Sequence, residues 1–311
     1  MKKISVIIPT YNEEDVIEEC YKQLSKNMNE LDPKSYDYEL IFVNDGSLDK
    51  SLEILKKISE TDLKAKVISF SRNFGHESAN MCGLKYSTGD AIVIIDADLQ
   101  DPPEIIAEMI KQWENGYDVV YGKRRVRKGE SHFKKFTSKV FYRFLNSLSD
   151  TNIPNDTGDF RLIDRKVVNS VLNMPENNKY LRGLISWCGY KQYALEYDRN
   201  PRYAGKTKYS IKKLIKLAID GIISFSSKPL KMVGSLGAFS IICSVLLVIY
   251  ALVSYFTGRA IESGWTSLMI TITFFTGIQL ICLWVIAEYI ARIFDNTKNR
   301  PEYIIDETIN F

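Results

Sequence analysis

Residues 91–101 read AIVIIDADLQD, an apolar run followed at once by three carboxylates, Asp96, Asp98 and Asp101. A short, largely β-branched run of this kind predicts a strand buried on both faces of a sheet. Two carboxylates separated by one residue at the end of such a strand offer oxygen ligands suited to a hard divalent cation. A solvated loop is the plain alternative, but carboxylates held near a buried strand without a partner are costly. The stretch therefore favours a metal site at a strand end.

The first 120 residues alternate strand-like and helix-like segments. The predicted strands are residues 3–9, 39–43, 66–69, 91–95 and 118–121. The predicted helices, in which apolar residues recur every three or four positions, are residues 13–28, 49–60, 77–86 and 103–113. This alternation predicts an α/β fold with a mostly parallel sheet and helices on both faces. Ligands of such sheets bind at the carboxyl ends of the strands, where the motifs described here lie.

Composition excludes several classes of protein. With 45% hydrophobic and 25% charged residues among 311, the chain is not intrinsically disordered. Two uncharged runs, residues 233–256 and 265–287, are each long enough to cross a hydrocarbon core of about 30 Å as a helix. The five cysteines have no paired spacing, so neither a disulfide framework nor a zinc motif is predicted. We therefore expect a reducing, cytosolic domain followed by a two-helix membrane hairpin.

The net charge of +3 conceals a division of the chain into an acidic and a basic part. Residues 1–122 carry a net charge of −10, and residues 123–231 carry +15. Acidic clusters suit a metal ion, whereas a basic part suits phosphate or an anionic membrane surface. Nucleic acid is a poor partner for a basic part that precedes two membrane spans. Within it, residues 209–226 predict an amphipathic helix in the headgroup plane, with an ordinary domain helix as the alternative.

Two further motifs follow the first and second predicted strands. Residues 9–15 read PTYNEED, in which Asn12 is a predicted N-cap and three acids fill the first helical turn. The turn lacks the glycines that grip a pyrophosphate, so a bound diphosphate would need another neutralising group. Residues 43–49 read VNDGSLD and predict a turn with Ser47 as a helix cap. Because no nucleophile motif accompanies either histidine, we expect His76 and His132 to have packing or surface roles.

As an ordered set these motifs resemble those of the family 2 glycosyltransferases, which are inverting enzymes of the GT-A fold. The resemblance rests on PTYNE at residues 9–13, NDGS at 44–47, RNFG at 72–75 and DADLQD at 96–101. The later DFRL at 159–162, the basic segment 202–209 and the two C-terminal spans narrow it. In these features the chain is similar to the polyisoprenyl-phosphate glycosyltransferases, the group of dolichyl-phosphate mannose synthase and bactoprenol glucosyltransferase. Because position 159 is an acid, which the mannose synthases lack there, the chain resembles the bacterial glucosyl enzymes more closely than the mannose synthases.

The resemblance implies roles for the matching positions. The expected nucleotide-sugar ligands are Pro9, Tyr11, Glu13, Asp45, Asp96 and Gln100, with Asp45 on the base. Asp96 and Asp98 are expected to hold Mg²⁺ or Mn²⁺. Asp159 takes the place of the candidate base, Asp156 remains an alternative, and Arg202 lies in a donor-covering loop. The expected contacts to the acceptor phosphate are Arg124, Lys134 and Lys135.

Four regions are expected along the chain. They are a GT-A domain (1–207), an amphipathic juxtamembrane helix (208–230), a transmembrane hairpin (231–291) and a tail (292–311). Basic residues precede the first span and follow the second. The positive-inside rule then places both termini in the cytoplasm. The catalytic domain would there meet cytosolic nucleotide sugar.

The expected activity is transfer of a hexose, glucose from UDP-glucose, to a polyprenyl phosphate such as undecaprenyl phosphate. N-acetylglucosamine or another sugar is an alternative donor group. A processive polysaccharide synthase shares the catalytic half but needs a Gln-x-x-Arg-Trp sequence, which is absent here. A non-catalytic nucleotide-sugar-binding scaffold is the alternative from another class, and the intact acidic motifs argue against it. Self-association of the chain is left open.

Overall fold

The computed structural model describes residues 1–125, 157–175, 180–200, 228–257, 264–298 and 300–311. The chain forms two compact units. Among the described residues, the first unit contains 1–125, 157–175, 180–200 and 300–311, and the second contains the two long C-terminal helices. The candidate site residues that the structure describes all lie in the first unit.

Within the described residues, eight strands form one sheet in the order β7-β5-β6-β4-β1-β2-β3-β8. The strands are β1 (Lys2–Thr10), β2 (Tyr36–Asn44), β3 (Ala65–Phe70), β4 (Ala91–Ile94), β5 (Val119–Arg124), β6 (Thr157–Asp164), β7 (Gln192–Tyr197) and β8 (Ile305–Ile309). The central strands β4, β1, β2 and β3 are parallel, as the sequence predicts. Strand β6 runs antiparallel between β4 and β5, and β8 runs antiparallel along the outer edge of β3.

The helices of the first unit cover this sheet. They are α1 (Ile17–Asn29), α2 (Ser51–Thr61), α3 (His76–Tyr86), α4 (Ile105–Glu114), α5 (Arg165–Leu172) and α6 (Leu181–Trp187). The apolar stripe of α1 faces the core through Ile17, Cys20, Leu24 and Met28, which are buried. The central strands are buried along most of their length, which explains their continuous apolar runs.

Two local predictions about helix starts are wrong. Helix α1 begins at Ile17, and Asn12 does not cap it but lies in a left-handed turn with φ of 53°. The Asn12 side chain instead accepts a hydrogen bond from the Leu48 amide, 2.8 Å away. Ser47 likewise does not cap α2, which begins at Ser51, and its hydroxyl accepts a bond from the Asn12 amide. Both polar side chains join the loops after β1 and β2, since a contact between neighbouring strand ends satisfies them as well as a cap does.

The second unit contains α7 (Lys228–Phe256) and α8 (Trp265–Thr297). Residues Lys228–Tyr250 and Ile270–Thr297 are long and apolar enough to cross a membrane by length and composition. The predicted amphipathic helix falls on residues 208–230, most of which lie outside the described residues. The predicted tail, by contrast, is not separate, because its residues 305–309 form β8 in the sheet of the first unit.

Candidate active site at the carboxyl ends of the central strands

The antiparallel strand β6 brings two predicted site residues together. Its register with β4 pairs Ile94 with Arg161, so Asp96 and Asp159 each lie two residues beyond that pair at the same edge of the sheet. Asp96 is half-buried, and the Asp159 side chain is only 9% exposed. Because β4 runs toward this edge and β6 runs away from it, the two carboxylates converge there.

His76, at the start of α3, lies between these two carboxylates. Its Nε2 is 3.2 Å from Oδ2 of Asp159 and 3.6 Å from Oδ1 of Asp96. Burial alone would lower the pKa of His76, but the bond to Asp159 and the charge of Asp96 outweigh it and raise this pKa to about 10. His76 is therefore a cation at neutral pH. The sequence predicts only a packing or surface role for His76; its contacts with two carboxylates were not predicted, and its role stays a prediction.

Arg182, in α6, holds Asp159 from the other side. Its Nε donates to Oδ1 of Asp159 at 2.6 Å and its Nη2 donates to Oδ2 at 2.8 Å. Burial raises the pKa of Asp159, but the charge and hydrogen bonds of Arg182, together with His76, hold it well below its ordinary value. The buried Arg161 supports this strand by donating to the carbonyls of Gly158 and Asp159. Asp159 is accordingly an ionised, doubly partnered carboxylate.

Two neighbouring acids, Asp96 and Glu77, have raised pKa values, in contrast to the lowered pKa of Asp159. Burial raises the pKa of Asp96 to about 6, and the nearby charges of Asp159, Asp101 and Asp98 add to this despite His76. Burial raises the pKa of Glu77 to about 7, with the charge of Asp159 as the next cause. Such crowding of carboxylates favours a site that receives positive charge.

The turn after β4 carries the remaining motif residues. Asp98 Oδ1 accepts a hydrogen bond from the Gln100 amide at 3.1 Å, which closes the turn. The Gln100 carbonyl accepts from the Asn200 amide at 2.9 Å, so the chain beyond β7 is held against this turn. Leu99 between them has a φ of 56°, in the left-handed region.

Asp101 ends the motif and is fully buried. The Tyr197 hydroxyl donates to it, and Nε of Arg199 lies 3.5 Å from its Oδ1. Arg124, at the end of β5, in turn hydrogen-bonds to the Tyr197 hydroxyl. Nη2 of Arg124 also lies 2.9 Å from the position that a Cβ on Gly158 would take.

Asp45, after β2, binds the loop of residues 72–75. Its Oδ1 accepts hydrogen bonds from the amides of Phe74 at 2.6 Å and Gly75 at 3.2 Å. Burial raises the pKa of Asp45, although these two amide bonds act in the opposite direction. Gly46 next to it has a φ of +64°, and a Cβ there would clash with the backbone of Arg72. The turn after β2 and the loop after β3 are thus fitted closely to one another.

The remaining sequence-predicted residues divide between described and undescribed parts of the chain. Pro9 is buried in β1 and pairs in register with Val43, while Tyr11 and Glu13 are half-buried in the turn after β1. The Glu13 amide donates to Oγ of Ser51 at 2.9 Å. The predicted residues outside the described ranges are Asp156, Arg202, Lys134 and Lys135. The roles assigned to all of these residues stay predictions.

The donor set fits a divalent cation only in part. Among the described residues, no group of three or more histidine, cysteine, aspartate or glutamate side chains is arranged to hold a metal ion. Asp96 and Asp98 nonetheless supply oxygen donors within a crowded carboxylate cluster. Mg²⁺ is commonly held by one or two carboxylates together with substrate phosphates and water. The pair therefore fits a cation that arrives with a diphosphate rather than one in an all-protein cage.

Sequence reasoning missed His76, Glu77 and Arg182. His76 and Glu77 directly follow the 72–75 motif, at the amino-terminal start of α3 and beyond the carboxyl end of β3. That position is a usable signal, because ligands of such sheets lie at these ends. Arg182 carries no comparable local signal, since α6 follows a long stretch of irregular pattern.

Comparisons with known proteins show which family the sequence matches. Residues 5–172 match the sequence model described as "Glycosyl transferase family 2". The chain is 50% identical over 305 residues to the "Uncharacterized glycosyltransferase YkcC" of Bacillus subtilis, covering 98% of this chain and 93% of that protein. It is 42% identical over 306 residues to the "Prophage bactoprenol glucosyl transferase homolog" of Escherichia coli, covering 97% and 98% respectively. It is 39% identical over 306 residues to the "Bactoprenol glucosyl transferase" of Shigella phage SfII, covering 98% of each.

Solved structures share the fold at low sequence identity. Glucosyl-3-phosphoglycerate synthase from Mycobacterium tuberculosis, in complex with Mn²⁺, uridine diphosphate and phosphoglyceric acid, superposes with a TM-score of 0.50. The two chains are 20% identical, and the match covers 71% of this chain and 76% of that one. At this identity the likeness is one of fold.

Proposed function

The chain belongs to glycosyl transferase family 2, and on that premise we propose that it transfers glucose from UDP-glucose to a polyprenyl phosphate. Undecaprenyl phosphate is the proposed acceptor, and the product is a lipid-linked monosaccharide for modification of cell-envelope glycans. The GT-A-type fold expected from the sequence is confirmed by the sheet and by its structural relatives. Support for the lipid acceptor comes from relatives that are named bactoprenol glucosyl transferases and match along nearly the whole chain.

The observation that carries the proposal is the convergence of Asp96, Asp159, His76 and Arg182 beside the turn of Asp98. Two carboxylates and two cations lie close together and form a polar site at the edge where α/β sheets bind ligands. The Asp45 carboxylate, which organises loop 72–75, follows β2 in the same parallel set of strands. We assign the nucleoside to the position beside Asp45. The reacting phosphates are assigned to the cluster of carboxylates and cations around Asp96 and Asp159.

The reaction is a single displacement with inversion at the anomeric carbon. The acceptor phosphate oxygen attacks that carbon, the bond to the donor diphosphate breaks, and UDP leaves. A phosphate monoester is mostly ionised near neutral pH because its second pKa is about 6. It therefore needs no strong base to remove a proton. This agrees with Asp159, whose low pKa makes it a poor proton acceptor.

Asp159 instead has an orienting role in this scheme. Its two oxygens are held by Arg182, and one of them also faces His76. The protonated His76 offsets negative charge that would otherwise repel an incoming phosphate. Arg124, Lys134 and Lys135 are proposed to bind the acceptor phosphate, and Arg202 is proposed to cover the donor. Arg124 is suited to this because one guanidinium group can donate two parallel hydrogen bonds to the oxygens of one phosphate.

A divalent cation, Mg²⁺ or Mn²⁺, is proposed to bind Asp96 and Asp98 together with the donor diphosphate. When bound, such an ion supplies positive charge that stabilises the departing diphosphate. The raised pKa of Asp96 reflects burial and an excess of negative charge around that carboxyl group, which a cation would relieve. The M. tuberculosis synthase, a protein of this fold, was solved in complex with Mn²⁺ and UDP, which supports the same pairing of metal and nucleotide.

The membrane arrangement is proposed to be a hairpin with the catalytic domain and both termini in the cytoplasm. Strand β8 follows α7 and α8 in the chain but shares a sheet with β1–β4. Strands joined by hydrogen bonds lie on one side of a membrane, so the intervening chain crosses it an even number of times. This supports the two spans inferred from apolar length.

The decisive experiment is an assay of the full chain, purified in detergent, with undecaprenyl phosphate and a panel of nucleotide sugars. Mass spectrometry of the lipid product should show one added hexose with UDP-glucose and equimolar release of UDP. A product only with UDP-N-acetylglucosamine would correct the donor and keep the reaction. Glu114→Gln, which removes an exposed acid paired with Lys2 near the amino-terminal end of β1, is the control that should retain full activity. UDP release without a lipid product would refute the acceptor.

A further inference from the structure

The residues that follow the membrane helices return to the catalytic sheet. Strand β8 pairs antiparallel with β3, with Val67 opposite Ile309 and Phe70 opposite Ile305. The Lys56 ammonium lies 2.6 Å from Oε1 of Glu307. An edge strand that is left unpaired presents open hydrogen-bonding groups, which β8 here satisfies. Edge protection alone would explain these contacts.

The residues just before β8 make a second set of contacts, next to loop 72–75, which Asp45 binds. The Tyr303 ring stacks on Phe70 with centroids 5.0 Å apart and planes 8° apart. Phe70 meets Phe74 edge to face at 5.8 Å. The Ser71 amide donates to the Ile304 carbonyl at 3.0 Å. The carboxyl end of β3, from which loop 72–75 departs, is thus held by a ring stack and by a backbone bond.

The Phe74 ring links this stack to the Asp45 carboxylate. The amides of Phe74 and Gly75 are bound by Asp45, and Gly75 has a φ of 103° with open space where a Cβ would lie. The Phe74 ring packs against Phe70 and against the Arg72 guanidinium at 4.0 Å, which fixes where those amides point. The position of Phe74 and the Asp45 carboxylate are therefore connected through the amide hydrogen bonds.

We propose that Tyr303 is a positioning residue for the nucleotide site, acting through Phe70 and Phe74 on the Asp45 carboxylate. The inference rests on the proposed function in so far as Asp45 meets the nucleoside. It gives the segment after the membrane hairpin a part in donor binding that requires no contact between Tyr303 and the donor. Burial raises the pKa of the Cys82 thiol in α3, and the neighbouring Tyr303 side chain acts in the opposite direction.

The test compares three variants of the full chain in detergent. Tyr303→Ala removes the stack, Tyr303→Phe keeps the ring, and Glu307→Gln removes only the Lys56 pair on the same segment. Hydrogen exchange of ligand-free protein should be faster at the amides of residues 74 and 75 in Tyr303→Ala alone. UDP affinity by calorimetry should fall by about three- to tenfold in that variant, which is the range of one aromatic pair. The KM for the sugar donor should rise by a similar factor, with kcat near wild type.

Several results would overturn the proposal. Exchange at residues 74 and 75 could be unchanged in Tyr303→Ala, or Glu307→Gln could lose as much UDP affinity. Either result would mean that the segment containing Tyr303 and β8 only protects the edge of β3. Should Tyr303→Ala not fold, Phe70→Leu interrupts the same ring contacts while keeping the bulk of a buried side chain, and it should give the same shifts. If the wild type binds no UDP but exchange is still faster in Tyr303→Ala, the proposed donor is refuted. The coupling of Tyr303 to the loop then remains.

Discussion

Replacing Arg182 by methionine should destabilise the first unit through the charge that it leaves behind. The substitution keeps length and apolar volume but removes both hydrogen bonds to Asp159. The side chains of Arg182 and Asp159 are 26% and 9% exposed, so water replaces the lost partner poorly. Breaking a buried ion pair by removing one partner costs about 3–5 kcal/mol. His76 still faces Asp159, so we expect the lower end, about 3 kcal/mol.

The assay is thermal unfolding of the full chain in detergent. For a unit of this size, a loss of about 3 kcal/mol lowers the midpoint by roughly 6–12 °C. The double variant Arg182→Met/Asp159→Asn should recover more than half of this, because no buried charge is then left unpaired. Arg165→Met is the matched control, since the Arg165 guanidinium donates to two uncharged groups, the Gly89 carbonyl and the Ser87 hydroxyl. Asp159→Asn should not rescue that variant.

The pH dependence has a definite sign. Arg182 holds the pKa of Asp159 below its ordinary value, so its contribution is present above about pH 4 and is lost as the pH falls through the folded pKa. In Arg182→Met the buried carboxyl group can take up a proton, and the midpoint gap to wild type should shrink between about pH 7 and about pH 4.5. A gap that is constant with pH, together with no rescue by Asp159→Asn, would refute this account of the pair.

Three further predictions concern the proposed reaction. Asp98→Asn should abolish turnover while preserving shape, and EDTA should do the same to wild type; undiminished activity in either test would exclude the metal role. Asp159→Asn should lower the rate at every pH above the second ionisation of the acceptor phosphate, since Asp159 orients rather than removes a proton, and a pH–rate profile that recovers fully at high pH would indicate general-base catalysis instead. Changing Lys212, Lys213 and Lys216 to glutamate should lower lipid glycosylation more in anionic than in neutral vesicles, at about 1 kcal/mol per basic residue, while UDP-sugar binding stays near wild type. Equal activity in both vesicle types, before and after the change, would make residues 209–226 an ordinary part of the soluble domain.

Local pattern was sufficient for the parallel half of the sheet. Strands buried on both faces must be continuously apolar, and their helices must be apolar every three or four residues, so both can be read directly from the chain. The carboxylates of Asp45, Asp96 and Asp98 follow such strands, which is enough to place them at one edge of the sheet. Helix starts are less predictable, because Asn12 and Ser47 join neighbouring loops as readily as they would cap a helix.

Only the tertiary structure decided which groups face those carboxylates. Asp159 lies at the same edge of the sheet as Asp96 because β6 enters the sheet antiparallel, and strand direction depends on distant pairing partners rather than on local composition. Its partners Arg182 and His76 come from two helices that are far apart in sequence. The sequence predicts only a tail where β8 lies, for the same reason: five residues that alternate between half-buried and exposed carry little signal until the open edge of β3 gives them hydrogen-bonding partners.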